Sequence, residues 1–311
     1  MAEMADRPGE IGVVGLGVMG AALAATLVEA GRSITVYDAD AGRLAAFVKE
    51  HGCGMARRPG DLAGCDAVIC VLPNGKIVRS VVLEDDGGAL AEGLRPGSVV
   101  IDMSSSSPLG TIELGAELRR RGVHLVDAPI SKQDSVFRET GVPRATGAPL
   151  PLVLMVGGEP EAVAKARPVL ALLGDTLVET GGPGTGHAAK TLNNYAAAGA
   201  HVALGEALLM GRRFGLPEDK LIDIINVSTG RSFISQVLMK NRLANPQFRA
   251  GFSIGLMAKD MQITADLADH VGFDGPACRL TLERWIRARE ILGADGDVAE
   301  AVPAWDEDAK D

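Results

Sequence analysis

Through the first 180 residues, short apolar runs alternate with longer stretches whose apolar positions recur at helical spacing. The runs EIGVVGLG (10–17), SITVYD (33–38), DAVICVLP (66–73), SVVIDMS (98–104), VHLVDAPI (123–130), LVLMVGG (152–158) and a short TLVET (176–180) predict strands. Several are apolar almost throughout, as suits strands covered on both faces by helices. Between them, AALAATLVEAG and PEAVAKARPVLALLG read as helices, each closed by a glycine able to take the left-handed conformation. This alternation predicts an α/β fold with a doubly wound parallel sheet. After GGPGTG (181–186) strand-like runs disappear and helix-period segments follow one another. A second, all-α domain is expected over 187–293, opened by a helix from about His187 to Phe214 that would be roughly 40 Å long, enough to join both domains.

Composition agrees with two domains, because 311 residues are long for a single core. Hydrophobic content of 47% with 23% charged residues is ordinary for a globular protein, and no apolar run approaches the roughly 20 residues that span a bilayer, so no membrane partner is expected. The amino terminus MAEMADRPGE has no basic segment followed by an apolar one, which points to the cytoplasm. Cys53, Cys65, Cys70 and Cys278 show neither CxxC pairing nor metal-ligand spacing with the histidines and read as reduced structural thiols, with no metal. Of the net charge of −9, the stretch from Ala294 carries −6, seven acids against one lysine. The near-neutral body argues against nucleic-acid binding, and residues 294–311 are expected to form an acidic, mobile, solubilising tail.

Candidate chemistry begins at GLGVMG. Gly15, Gly17 and Gly20 follow a predicted strand and open a predicted helix, the context in which a glycine-rich turn binds a dinucleotide. The first glycine permits the turn, the second admits a pyrophosphate and the third packs helix on strand, with Met19 in the same turn. Asp38 ends the second strand, where an acid binds a ribose hydroxyl and repels a 2′-phosphate. A Rossmann-type domain over 1–186 with NAD, and NADP as the less favoured cofactor, follows.

Three further features stay open on spacing alone. DMSSSSP (102–108) lies at the sheet's carboxyl edge, where ligands bind, but also reads as a polar loop or helix cap. Lys259 and Asp260 read as a surface ion pair on a helix. Lys190 is the one permanent charge in GHAAKTLNNYAAAGAHVALG (186–205), with Asn194 one helical turn on. A lysine in such a setting either snorkels to water or has a use, and its place at the expected domain junction favours the use.

Taken together, GLGVMG, LPNG (72–75), IDMSSSSP, DAPIS, GGPGTGHAAKTLNN and LMAKD resemble, in order and spacing, the β-hydroxyacid dehydrogenase family typified by 3-hydroxyisobutyrate dehydrogenase. The resemblance covers roughly residues 10–292. It implies an NAD-dependent oxidoreductase interconverting a small anionic 3-hydroxy acid and its semialdehyde, with a helical domain like that of 6-phosphogluconate dehydrogenase. By the same resemblance Lys190 is the catalytic lysine, Asn194 holds the substrate, and Ser131 binds its carboxylate. Leu72, Pro73, Ser105 and Lys259 would contact the cofactor, which replaces the surface reading of Lys259. A desolvated lysine tuned toward roughly pH 7 to 8 can take the hydroxyl proton in oxidation and return it in reduction. The long apolar helical domain suggests a homodimer or homotetramer.

The sequence departs from the family pattern at one loop. Where most members read DAPVSGG, this chain reads DAPISKQDSVFRETGVPRATGAPLPLVLMVGG, about ten residues longer, with Lys132 and Gln133 in place of two glycines at the substrate. A basic residue at the first of these positions resembles sulfolactaldehyde reductase and implies a sulfonated or doubly anionic semialdehyde; the alternative is an exposed loop lysine. Two other functions share the architecture, a non-catalytic NAD(H) sensor and an imine reductase. The presence of Lys190 speaks against both.

Overall fold

The structure, a computed structural model, describes residues 10–84, 88–132 and 146–306, with the side chain of Lys132 excepted. It forms two compact units that meet in sequence between Lys190 and Thr191.

The first unit is built on nine strands: β1 Ile11–Val14, β2 Ile34–Tyr37, β3 Gly54–Met55, β4 Ala67–Cys70, β5 Val99–Asp102, β6 His124–Asp127, β7 Ile130–Lys132, β8 Leu150–Gly158 and β9 Gly174–Gly181. Six run parallel in the order β3-β2-β1-β4-β5-β6. The strand reading held in the sheet's centre because side chains alternate between two separate cores. On β4 and β5, Ala67, Ile69, Val99 and Ile101 join one cluster, and Val68, Cys70 and Val100 join the other. A strand buried on both faces reads as an unbroken apolar run, and helices on both sides are its physical requirement. Cys65 and Cys70 lie in the second cluster, where burial pushes both thiols well up and leaves them protonated.

Beyond β6 the sheet changes direction. β8 is antiparallel to β6 through Gly157 and Gly158 and to β7 through Leu152, Val153 and Leu154, while β9 runs parallel to β8. The single run expected over 123–130 is therefore two strands. Pro129 separates them, since a residue without an N–H cannot continue the ladder; its carbonyl accepts instead from Met155 N at 3.2 Å.

The second unit is helical. The long helix Thr185–Phe214 begins two residues before the expected start and supplies its first elements. The helices Glu218–Asn226, Lys240–Ala244, Ile254–His270 and Pro276–Leu292 follow, with a π-helical stretch over Ile234–Met239. Their core gathers Leu208, Leu238, Met261 and the fully buried Trp285.

The tail expected from Ala294 does not hold over residues 294–306. Two short 3-10 turns, Val298–Glu300 and Val302–Trp305, bury Val298, Ala299, Ala301, Val302, Ala304 and Trp305 in the helical core. The acids flanking them anchor the segment. Asp297 accepts from the backbone N–H groups of Ala250, Gly251 and Ala299 at 2.8 to 2.9 Å, and Asp306 accepts from Arg212 and Arg213 at 2.5 Å each. Counting charge alone missed this, because Asp297, Glu300 and Asp306 each have a donor waiting elsewhere in the unit. Residues 307–311 lie outside the described residues.

Trp305 completes an aromatic cluster. The His201 ring packs edge-on against Trp285 at 5.3 Å and Trp305 at 5.4 Å, and among the described residues neither of its nitrogens has a hydrogen-bond partner. Burial lowers its pKa from 6.5 to about 4. A histidine held neutral in the fold takes up its proton more readily when unfolded, so the stability it allows is complete above 6.5 and declines as pH falls toward about 4. The difference should reach about 3 kcal/mol. Urea unfolding across that window should show wild type losing more stability than His201→Phe, and parallel pH profiles would refute the assignment.

Candidate functional site

The glycine-rich turn follows directly on β1. Gly15 has φ of +94°, and a Cβ on it would stand 2.3 Å from the carbonyl oxygen of Val71, at the end of the neighbouring β4. A Cβ on Gly20 would stand 1.9 Å from the carbonyl oxygen of Gly15, so the helix Val18–Glu29 can sit this close to the turn only with glycine there. Gly17 differs from both. Its φ of −61° suits any residue, it is exposed, and nothing lies within 4 Å of where its Cβ would be. Neither backbone nor packing requires a glycine at this position. The open space lies at a helix start without a side-chain cap, the arrangement that receives a phosphate. The residues present therefore fit a dinucleotide. Met19, two residues on from Gly17, is half-buried against the first core cluster.

Asp38 is buried at the end of β2 and tied back to this turn. Its carboxylate accepts from Leu16 N at 2.6 Å and from Asp40 N at 2.8 Å, and the Arg43 guanidinium lies 3.3 Å away. The helix Ala41–His51 returns Arg43 to the carboxylate five residues earlier in the chain.

The LPNG loop and the serine run form one surface at the carboxyl ends of β4 and β5. Leu72 N donates to Ser104 Oγ at 2.9 Å, and a Cβ on Gly75 would touch Ser106 at 3.0 Å. Pro73 is exposed beside half-buried Leu72. Within the run, Ser104 and Ser106 are buried, and the Ser106 hydroxyl donates to Asp102 at 2.7 Å. Ser105 between them is the more exposed, which suits a ribose contact.

Below this surface lies a buried network that no spacing argument had singled out. Asp102 and Asp127 end β5 and β6, and His187 lies between them, 3.8 Å from each carboxylate. His187 Nε2 donates to the Ser104 carbonyl at 3.1 Å, and Nδ1 pairs with the Thr111 hydroxyl at 2.8 Å. Asp127, fully buried, accepts from Gly184 N and His187 N at 2.8 Å each. These are first-turn donors of the long helix, so the strand-end carboxylate caps the helix that carries half-buried Lys190 in its second turn. The only sequence signal was the acid ending each of two apolar runs, within IDMSSSSP and DAPIS.

In the helical unit, Asn194 is buried and donates through Nδ2 to Asp260 Oδ2 at 2.7 Å. Lys259 Nζ lies 3.4 Å from the other oxygen of the same carboxylate. The Thr191 hydroxyl donates to the Asp260 carbonyl at 2.9 Å, so the whole residue is held. Asp260 thus joins two sequence-predicted site residues and was itself read only as Lys259's surface partner. It is 3% exposed, and no surface pair is buried in that way. Ser131 is half-buried on β7, opposite Val153 and separated from the glycine-turn strand by β4, β5, β6 and β8. Gln133, the Lys132 side chain and the inserted arginines Arg138 and Arg144 lie outside the described residues. Among the described residues no cluster of His, Cys, Asp or Glu is arranged to hold a metal ion, and no helix is long and apolar enough to cross a membrane.

A glycine turn with an acid on the next strand, facing a loop and a serine run at the sheet's carboxyl edge, defines a dinucleotide-binding oxidoreductase. Residues 10–182 match the family described as the NAD binding domain of 6-phosphogluconate dehydrogenase. Residues 184–305 match the one described as NAD-binding of NADP-dependent 3-hydroxyisobutyrate dehydrogenase. The chain is 30% identical to 3-sulfolactaldehyde reductase of Escherichia coli, over 90% of each chain. It is 32% identical to the NAD-dependent L-serine dehydrogenase of Pseudomonas aeruginosa, over 88% of this chain and 90% of that one. Among solved structures, a 3-hydroxyisobutyrate dehydrogenase of Mycobacterium tuberculosis with L-serine superimposes with a TM-score of 0.82 at 27% identity, over 96% of this chain and 100% of that one. The chain belongs to the β-hydroxyacid dehydrogenase family and is an NAD-dependent oxidoreductase.

The contrast between two glycines tests the cofactor site. Gly17→Ala should fold as wild type, yet bind NAD roughly tenfold or more weakly, equivalent to about 1.4 kcal/mol. Gly20→Ala, forced against the Gly15 carbonyl, should instead lose about 1–3 kcal/mol of stability. Thermal melts and NADH fluorescence titration separate the two effects, and wild-type NAD affinity in Gly17→Ala would remove the argument.

Proposed function

We propose that the protein interconverts a small 3-hydroxy acid and its semialdehyde, with Lys190 as general acid and base. The observation that carries this reading is the placement of Lys190 and Asn194. Lys190 stands in the second turn of a helix capped by a buried carboxylate, and Asn194 is fixed one turn on by Asp260. Preorganisation of this kind supports catalysis, because groups already held in place need no reordering in the transition state.

Bound NAD would supply the hydride acceptor. In oxidation Lys190 Nζ takes the proton of the substrate hydroxyl; in reduction it returns that proton, and its positive charge stabilises the developing alkoxide. Asn194 orients the substrate's oxygen relative to Lys190, and Ser131 binds the carboxylate. Leu72, Pro73, Ser105 and Lys259 serve the cofactor. The relatives named for L-serine and for sulfolactaldehyde support a compact, anionic substrate. A homo-oligomer accompanies the reading and is supported by the exposed apolar side chains Met210, Phe214 and Val227 of the helical unit.

Lys190→Ala should lose turnover roughly a hundredfold or more while still binding NADH. The test is a panel of hydroxy acids and aldehydes that includes 3-hydroxyisobutyrate, L-serine and sulfonated compounds. Activity near wild type across the pH range would sink the acid–base role.

A second reading, a sulfonated or doubly anionic substrate, is favoured by the identity to the sulfolactaldehyde enzyme together with Lys132 directly after Ser131. A lysine-to-anion contact is worth roughly 1.5 to 3 kcal/mol, or about one to two orders of magnitude in kcat/KM. Lys132→Gly should therefore lose activity selectively on the member of a substrate pair bearing an anionic group in place of a methyl. Equal proportional losses on both would mean that Lys132 does not read charge.

A further inference from the structure

We infer that Asp127, His187 and Thr111 are positioning residues for Lys190, a clamp that holds the start of the catalytic helix against the strand ends and the serine run. The inference rests on the reading of Lys190 as acid and base.

An isolated helix frays at its first turn, where the backbone N–H groups lack partners within the helix. Lys190 stands close enough to that turn for fraying to displace its ammonium. Here the first-turn donors of Gly184 and His187 are both taken by one fully buried carboxylate, Asp127. That carboxylate sits at the end of a parallel strand, so its own position is set by the rigid sheet. The approach is close enough that a Cβ on Gly186 would lie 2.3 Å from the Met155 carbonyl oxygen and 2.8 Å from Asp127.

His187 makes the second attachment. Its Nε2 faces a carbonyl, which can only accept, so Nε2 carries a hydrogen and donates to Ser104. Its Nδ1 pairs with Thr111 on the helix that follows the serine run. One imidazole therefore binds the lysine helix to both ends of the loop that carries Ser105. The carbonyl it engages belongs to the same serine whose hydroxyl receives Leu72 N. Lys190 and the loop that carries Ser105 are consequently registered to each other by groups that are themselves buried.

The test is pH-dependent competitive acetylation by acetic anhydride of the full-length, NAD-saturated protein, with mass-spectrometric readout at Lys190. The exposed Lys49 and Lys220 serve as internal standards. In Asp127→Asn and in the milder Thr111→Val, the labelling curve of Lys190 should move away from the wild-type curve while both standards stay in place. Any panel substrate that turns over should show kcat per NADH-binding site falling roughly 10- to 100-fold, the cost of displacing a catalytic group by about 1 Å.

Superimposable Lys190 curves in the folded variants would overturn the inference. So would a loss confined to the number of NADH-binding sites, with the curve and kcat per site unchanged, since that is what a purely structural role gives. Should Asp127→Asn fail to fold, Thr111→Val and His187→Gln carry the same comparison. Retained turnover in Lys190→Ala would instead sink the acid–base reading and leave the clamp standing.

Discussion

The architecture of the site depends on one buried carboxylate. Asp127 ends a central strand with no exposure to water, a costly place for a charge unless its oxygens find donors. The donors come from a helix start that is equally short of acceptors. Each side satisfies the other's requirement, at 2.8 Å to Gly184 and to His187. The charge also lies at the helix end whose dipole favours an anion. This exchange ties the start of a 30-residue helix to the ends of parallel strands.

A similar logic operates at lower depth around Asp38 and Asp260. Asp38 holds the glycine turn through Leu16 N, and Asp260 holds Asn194. In each case a carboxylate that reads, in sequence, as a ligand or a surface charge also fixes the backbone or side chain of a neighbouring site residue. Ser104 plays the uncharged counterpart, since its hydroxyl receives Leu72 N and its carbonyl receives His187.

Much of this was legible in the sequence, for identifiable reasons. Strands covered on both faces appear as unbroken apolar runs, so β1, β4 and β5 could be found by eye, and the glycine turn stood in its required strand-to-helix context. Local patterns reveal local geometry. The roles of Asp127 and His187 stayed hidden because their partners are 57 to 83 residues away in the chain, and nothing in a helical or strand period encodes them. The split between β6 and β7 was written in Pro129 and overlooked. The error at Ala294 arose from treating charge as an aggregate. The stretch has apolar residues at the spacing of two tight turns, and Trp305 among them, which outweighs its acids once Asp297 and Asp306 are paired.

That closing segment has a consequence for how the molecule is made. Every contact of the first unit is available once Lys190 has been synthesised, so it can complete its sheet while the remainder is still being translated. The helical unit cannot follow suit. The aromatic cluster around His201 waits for Trp305, and the arginines at the end of the long helix wait for Asp306. Until those residues leave the ribosome, one flank of the helical core stays uncovered. The helical unit therefore reaches its native packing only once Trp305 and Asp306 have emerged, later than the sheet that precedes it.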